Sequence, residues 1–302
     1  MDRLVLAPAA RRPAVLDLMR SAERRLVLSM FRCDDFAVLD EVAAAVKRNV
    51  HVRVLITHRA RGWKRRLKEL SALLASTGAH VQRYTGPLMK YHAKYVVADD
   101  GPALVSSLNF TRKCFESTYD FLVFSDDPQV VSGLEMLFEH DFSRPGSPLP
   151  DMTDRLIVGP DQARVRFKKL LDDAKTSIRI IDHRVIDPEM VSLLREKQTN
   201  GVQVKVLGHS PMNGLVSHGR MTLIDNRIAV IGSIHLSPPS LDWRREVAIV
   251  IREPSIVDEL NQFFETLALD RPNLAALLEA QPTPIEDEED DEDDENESTM
   301  DT

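Results

Sequence analysis

Apolar positions spaced three and four apart run through PAVLDLMRSAERR, residues 13–25, and predict a helix. LVLSMF (26–31) then reads as a strand, DEVAAAVKRN (40–49) as a second helix and VHVRVLI (50–56) as a second strand. The same order returns later: ARVRFKKLLDDAK (163–175), SIRIID (177–182), EMVSLLREKQ (189–198) and VQVKVLG (202–208). VRVL at 52–55 is echoed by VKVL at 204–207. Alternating helices and strands predict an α/β protein of two similar halves, each a mixed β-sheet flanked by helices. The Pro-, Gly- and Ser-rich stretch SRPGSPLPD marks the connector. The expected division is a first half over 1–145, a linker over 146–154 and a second half over 155–280. The first half alone inserts a basic helix and a strand over 57–85.

A polar cluster is repeated with the folds. HAKYVVADD at 92–100 and HGRMTLIDN at 218–226 superpose with an offset of 126 residues. That offset sets His92 on His218, Lys94 on Arg220 and Asp99 on Asp225. Further along, Ser107 meets Ser233, Asn109 meets His235, and Asp120 meets Glu246. Along a strand, residues i and i+2 share a face, so each half presents an imidazole beside a fixed cation. Asp99 has the other parity and stands before the Asp100-Gly101-Pro102 turn, a position that suits anchoring the turn. Ser107 and Asn109, with Ser233 and His235, are candidate substrate-binding donors. Histidines, cations and neutral donors presented twice match phosphodiester chemistry: cations hold anionic oxygens, one imidazole attacks phosphorus and the other protonates the departing alkoxide.

HAKYVVAD followed by SSLNF, and HGRMTLID followed by GSIHLS, resemble the doubled HxKxxxxD plus GSxN signature of the phospholipase D superfamily. The resemblance covers most of residues 1–270. It implies two pseudo-twofold-related α/β halves meeting at one active site, a phosphohistidine intermediate, and no metal or other cofactor. Carried over position by position, it makes His92 the nucleophile and His218 the general acid, with Lys94 and Arg220 completing the catalytic set. Asp120 and Glu246 stand where the family orients an imidazole, and Asp99 and Asp225 support the motifs. Two positions depart from the pattern: Arg220 replaces a lysine and His235 an asparagine.

Composition changes this picture in three places. The net charge of −8 is misleading, because residues 286–302 carry 12 Asp and Glu and no Lys or Arg, leaving 35 acidic against 39 basic residues elsewhere. That acidic segment, within 281–302, reads as disordered. The insertion segment HRARGWKRRLK, 58–68, sets Lys and Arg around Trp63, suited to nucleic-acid phosphates, to an anionic membrane surface, or to nothing beyond a solvated helix face. The two cysteines, Cys33 and Cys114, are too few for a disulfide framework and read as packing residues.

No apolar run reaches the roughly 20 residues of a membrane span, and no secretory signal opens the chain, so a cytoplasmic protein is expected. P-loop, GxGxxG and HExxH motifs are absent from the sequence. The expected activity is a phospholipase D-like phosphodiesterase or phosphatidyltransferase acting on phospholipids. The alternatives are a metal-independent nuclease of the same superfamily, or a non-catalytic module that binds phosphate polymers or membranes. The sequence carries no signal for an oligomeric state.

Overall fold

A computed structural model of the chain describes residues 1–208 and 214–269. The acidic segment lies outside the described residues, as does the expected end of the second half.

Elements of the first sheet and its helices run β1 (Asp2–Val5), α1 (Pro8–Ser21), β2 (Arg25–Met30), α2 (Phe36–Lys47), β3 (His51–Ile56), α3 (Lys64–Ser76) and β4 (His80–Arg83). The chain continues through β5 (Lys90–Tyr91), β6 (Tyr95–Ala98), β7 (Ala103–Ser106), α4 (Arg112–Glu116), β8 (Thr118–Tyr119), β9 (Leu122–Ser125) and α5 (Pro128–Ser143), of which β5 and β8 pair outside the first sheet. The series then restarts with β10 (Leu156–Gly159), α6 (Ala163–Asp173), β11 (Ser177–Ile181), α7 (Pro188–Thr199) and β12 (Gln203–Leu207). It closes with β13 (Val216–Ser217), β14 (Arg220–Ile224), β15 (Ile228–Gly232), α8 (Pro238–Asp242), β16 (Arg244–Ile251) and α9 (Pro254–Leu269).

The first sheet has the order β1-β9-β7-β6-β2-β3-β4, and the second repeats it as β10-β16-β15-β14-β11-β12 without a counterpart of β4. Both are mixed: β2–β3 and β11–β12 are parallel, whereas β6–β7 and β14–β15 are antiparallel hairpins. The 126-residue offset also superposes α4 on α8 residue for residue. Residues between α5 and β10 form neither helix nor strand.

Both faces of each sheet are covered, which explains why strand residues of both parities are apolar. Val96 and Leu26 face α1 and α2, whereas Val97 and Val27 face a core shared by the two halves. Met221, Leu223, Val247 and Ile249 of the second sheet enter that shared core with Leu134 and Phe138 of α5 and Leu260 and Phe264 of α9. Ile178, Ile180 and Val250 turn the other way, onto α6 and α7. The insertion forms α3 and β4, and Trp63 is buried against Phe31, Ala60 and Leu67 beneath the exposed basic face of α3. Among the described residues no helix is long and apolar enough to cross a membrane.

Candidate active site

Two short strands cross between the halves and set the site. β5 runs parallel to β16, pairing Lys90 with Arg244 and Tyr91 with Arg245, and the N–H of His92 then donates to the Arg245 carbonyl at 2.8 Å. β13 pairs in the same way with β8, Val216 with Thr118 and Ser217 with Tyr119, and Gly219 N–H donates to the Tyr119 carbonyl at 2.9 Å. Each histidine therefore leaves its own half and lies against the strand that carries, or directly precedes, the other half's acid.

The side chains complete the exchange. His92 Nδ1 lies 2.8 Å from Glu246 Oε2, and His218 Nδ1 lies 2.8 Å from Asp120 Oδ1. Both carboxylates are held by hydroxyls. Ser107 donates to Asp120 Oδ1 at 2.6 Å and Thr118 to Oδ2 at 2.5 Å, while Ser240 donates to Glu246 Oε1 at 2.9 Å. The Ser233 hydroxyl also bonds Glu246, holding its carboxyl lower than burial alone would. Ser107 and Ser233, read from sequence as substrate donors, are thus turned onto the acids behind the imidazoles.

Electrostatics separates the two dyads. Burial works against the charged form of His218, but the carboxylate of Asp120 and the nearby Cys114 outweigh it and raise its pKa to about 10. Burial opposes the charge of Asp120 as well, and His218 overcomes it, so Asp120 is lowered. Glu246 goes the other way: burial raises it, against the pull of Lys94. The pair thus favours an imidazolium at His218 facing an ionised Asp120.

Around the rings, Lys94 is fully buried, with Nζ donating to the His92 carbonyl at 2.8 Å and lying 5.1 Å from the centre of the Phe31 ring. Phe31 stands edge-on to His92 with centroids 4.6 Å apart. The Asn109 amide nitrogen lies 3.5 Å from His218 Nε2, and its Oδ1 is buried with no hydrogen bond from a described residue. Arg220 spans the boundary, its Nη1 3.5 Å from the Ser107 carbonyl and its Nε donating to His235 Nε2 at 2.9 Å. His235 is buried with Nδ1 2.6 Å from Asp182 Oδ1, so it stands behind Arg220 and does not take the place that Asn109 takes beside the opposite histidine.

Asp99 and Asp225 serve the folds. Asp99, at φ 47°, accepts the backbone N–H groups of Glu23, Arg24 and Arg25; Asp225, at φ 54°, accepts those of Lys175, Thr176 and Ser177. Tying the end of the motif strand to the start of the next is what lowers both carboxyl pKa values against the effect of burial.

Three contributors carry no motif signal. Cys114 Sγ lies 4.0 Å from His218 Nε2, a site position rather than simple packing; the offset that aligns it with Ser240 was the available clue. Asp182 has Met30 as its counterpart in the register of β11 on β14 and β2 on β6, so the repeat does not single it out. Arg11 is buried and donates to the Cys114 and Thr118 carbonyls at 3.2 and 2.5 Å, holding the α4–β8 segment that carries Asp120. Among the described residues two trios, Cys114–Asp120–His218 and Asp182–His183–His235, have metal-ligand atoms within 4.8 Å of one another. In each trio one carboxylate–imidazole hydrogen bond already joins two of the members.

Comparison with known proteins bears on the family and the fold. The family described as cardiolipin synthase, PLD-like domain, matches residues 15–142 and 209–268. No curated protein matches the chain. Among solved structures, a polyphosphate kinase from Porphyromonas gingivalis superposes with TM-score 0.75 at 17% identity, over 89% of this chain and 47% of the kinase. This chain thus spans about half the length of that relative. A phosphatidylserine synthase from Haemophilus influenzae superposes with TM-score 0.70 at 12% identity, over 87% of this chain and 86% of the synthase.

Proposed function

The chain belongs to the cardiolipin synthase PLD-like family, within a superfamily of phosphodiesterases and phosphatidyltransferases, and from that premise we propose that it cleaves or transfers a phospholipid phosphodiester through a covalent phosphohistidine. The observation that carries the reading is the crossed pair of acid–imidazole hydrogen bonds, His92 with Glu246 and His218 with Asp120.

In this mechanism His92 keeps its proton on Nδ1, shared with Glu246, which leaves the Nε2 lone pair to attack phosphorus. An N–P bond forms as the P–O bond to the leaving alkoxide breaks. His218, held as an imidazolium by Asp120, passes its Nε2 proton to that alkoxide. Water or an alcohol then returns a proton to His218 as its oxygen attacks phosphorus and the N–P bond breaks. Lys94, Arg220 and Asn109 stabilise the phosphoryl oxygens as charge redistributes. Burial raises the Glu246 carboxyl, whereas Asp120 is lowered and its partner His218 raised, and this asymmetry supports assigning the nucleophile to His92 and the acid to His218.

A nuclease would use the same steps, and the exposed basic residues of α3 suit a nucleic-acid backbone. The test is a substrate panel in EDTA: phosphatidylglycerol, phosphatidylcholine, single-stranded DNA and bis-p-nitrophenyl phosphate, with His92→Ala as control. Lipid turnover without DNA cleavage supports the reading, DNA cleavage alone supports the nuclease, and salt-sensitive binding without turnover supports a non-catalytic module.

A further inference from the structure

The repeat pairs Lys94 with Arg220 and Asn109 with His235, and the two second-half residues touch: Arg220 Nε donates to His235 Nε2 at 2.9 Å. Accepting that bond requires a lone pair on Nε2, which places the ring proton on Nδ1, where it is donated to Asp182 Oδ1 at 2.6 Å. Asp182 is itself fixed, because the backbone N–H groups of Leu236 and Arg184 each donate to it at 2.9 Å. The His183 ring stands edge-on to His235 with centroids 4.8 Å apart. Arg220, His235 and Asp182 are 2%, 1% and 4% exposed, so the chain of bonds runs through the interior and away from bulk water. At its far end the guanidinium meets the Ser107 carbonyl of the first half.

The first copy is built differently. Lys94 donates to the carbonyl of its own His92, and Met30 stands where the second copy has Asp182, by the register of β2 on β6 and β11 on β14. An ammonium is a rotatable point charge, whereas a guanidinium is a planar fork whose usefulness depends on the orientation of its plane. A buried arginine in this position therefore needs a support that a lysine does not.

We propose that Asp182 and His235 are positioning residues for Arg220, fixing its guanidinium plane at the boundary between the halves, and that Arg220 and His235 form one coupled replacement of the Lys–Asn pair kept in the first copy. The inference rests on the reading of Arg220 as a holder of phosphoryl oxygens. It predicts that reverting either residue alone is harmful and that reverting both restores the site to a working arrangement.

The experiment is calorimetric binding of tungstate, a tetrahedral oxyanion, to the full chain, with thermal midpoints recorded alongside. Arg220→Lys and His235→Asn each bind about 10-fold more weakly, the scale of a misplaced binding group. The double variant R220K/H235N returns to within about 3-fold of the original, the signature of strong coupling in a double-mutant cycle. Asp182→Asn weakens binding as His235→Asn does, and His235→Gln, whose amide oxygen can accept from Arg220 Nε, keeps most of it. Losses that simply multiply in the double variant, or an unchanged affinity in both His235→Asn and Asp182→Asn, overturn the proposal. Tungstate binding needs no turnover. A coupled cycle in a protein inert toward every diester refutes the functional reading alone, and an uncoupled cycle in an active enzyme refutes this inference alone.

Discussion

His92 Nδ1 lies 2.8 Å from Glu246 Oε2, and the two residues are 154 positions apart in opposite halves of the chain. The reciprocal bond, His218 to Asp120, spans 98 positions in the other direction. Each copy of the motif lends its histidine to one dyad and its acid to the other. The site is consequently a property of the boundary, and displacing either half by an ångström breaks both dyads together.

Glu246→Gln and Asp120→Asn should fail at different steps. A glutamine amide donating to Nδ1 would drive the His92 proton to Nε2 and remove the attacking lone pair, lowering kcat by roughly 10³-fold or more, as wrong-tautomer variants of comparable dyads do. With p-nitrophenyl leaving groups, which need no acid, Glu246→Gln should show no burst of nitrophenolate. Asp120→Asn should keep the burst and lose steady-state turnover, since His218 still has to activate water.

The pH dependence follows from His218, raised to about 10 against an ordinary 6.5. A pKa raised on folding contributes stability that is complete below 6.5 and disappears as pH rises toward 10. Activity that needs the imidazolium should fall on the alkaline side of the profile, at high pH. Asp120→Asn should move that limb toward neutrality and lower the thermal midpoint at pH 6 more than at pH 10. NMR titration of His218 in both proteins checks the shift.

Gly219, between His218 and Arg220, packs where a Cβ would sit 2.7 Å from the Phe121 ring and 2.9 Å from the Tyr119 carbonyl. Gly219→Ala must push β13 off β8. The expected cost is about 1–3 kcal/mol of stability, typical of overpacking, with an activity loss of roughly 10²-fold from displacing His218. Denaturant unfolding and kinetics on the same preparation separate the two effects.

Asp99→Ala removes the acceptor of three backbone N–H groups at a left-handed position. It should cost about 1–3 kcal/mol of stability while leaving KM unchanged, because the carboxylate faces the strand ends and not the site. A KM shift without destabilisation would return Asp99 to substrate binding.

Helix–strand alternation and the doubled motif were legible in the sequence, because periodicity and repetition are local or self-referential signals. The crossing of the acids was not. Asp120 follows His92 in the same copy, and only the pairings of β5 with β16 and β13 with β8, both long-range, reveal which imidazole each acid serves. The role of the serines is open in sequence for a similar reason: a hydroxyl beside a phosphate motif suits substrate and acid equally, and only the fold shows Ser107 donating to Asp120 at 2.6 Å. Arg220 and His235 looked like two separate departures, since 15 positions of sequence hide a contact made across a hairpin. In sequence, Trp63 among its basic neighbours suits a ligand or a plain solvated helix face, and the fold buries it against Phe31, Ala60 and Leu67.

The most direct test of the account is to quench the enzyme during turnover of phospholipid labelled in its phosphate and to map the acid-labile, base-stable label by peptide sequencing. The label should sit on His92, at normal occupancy in the original protein, and should vanish in Glu246→Gln. A label on His218, or steady turnover with no covalent intermediate on either histidine, would contradict it.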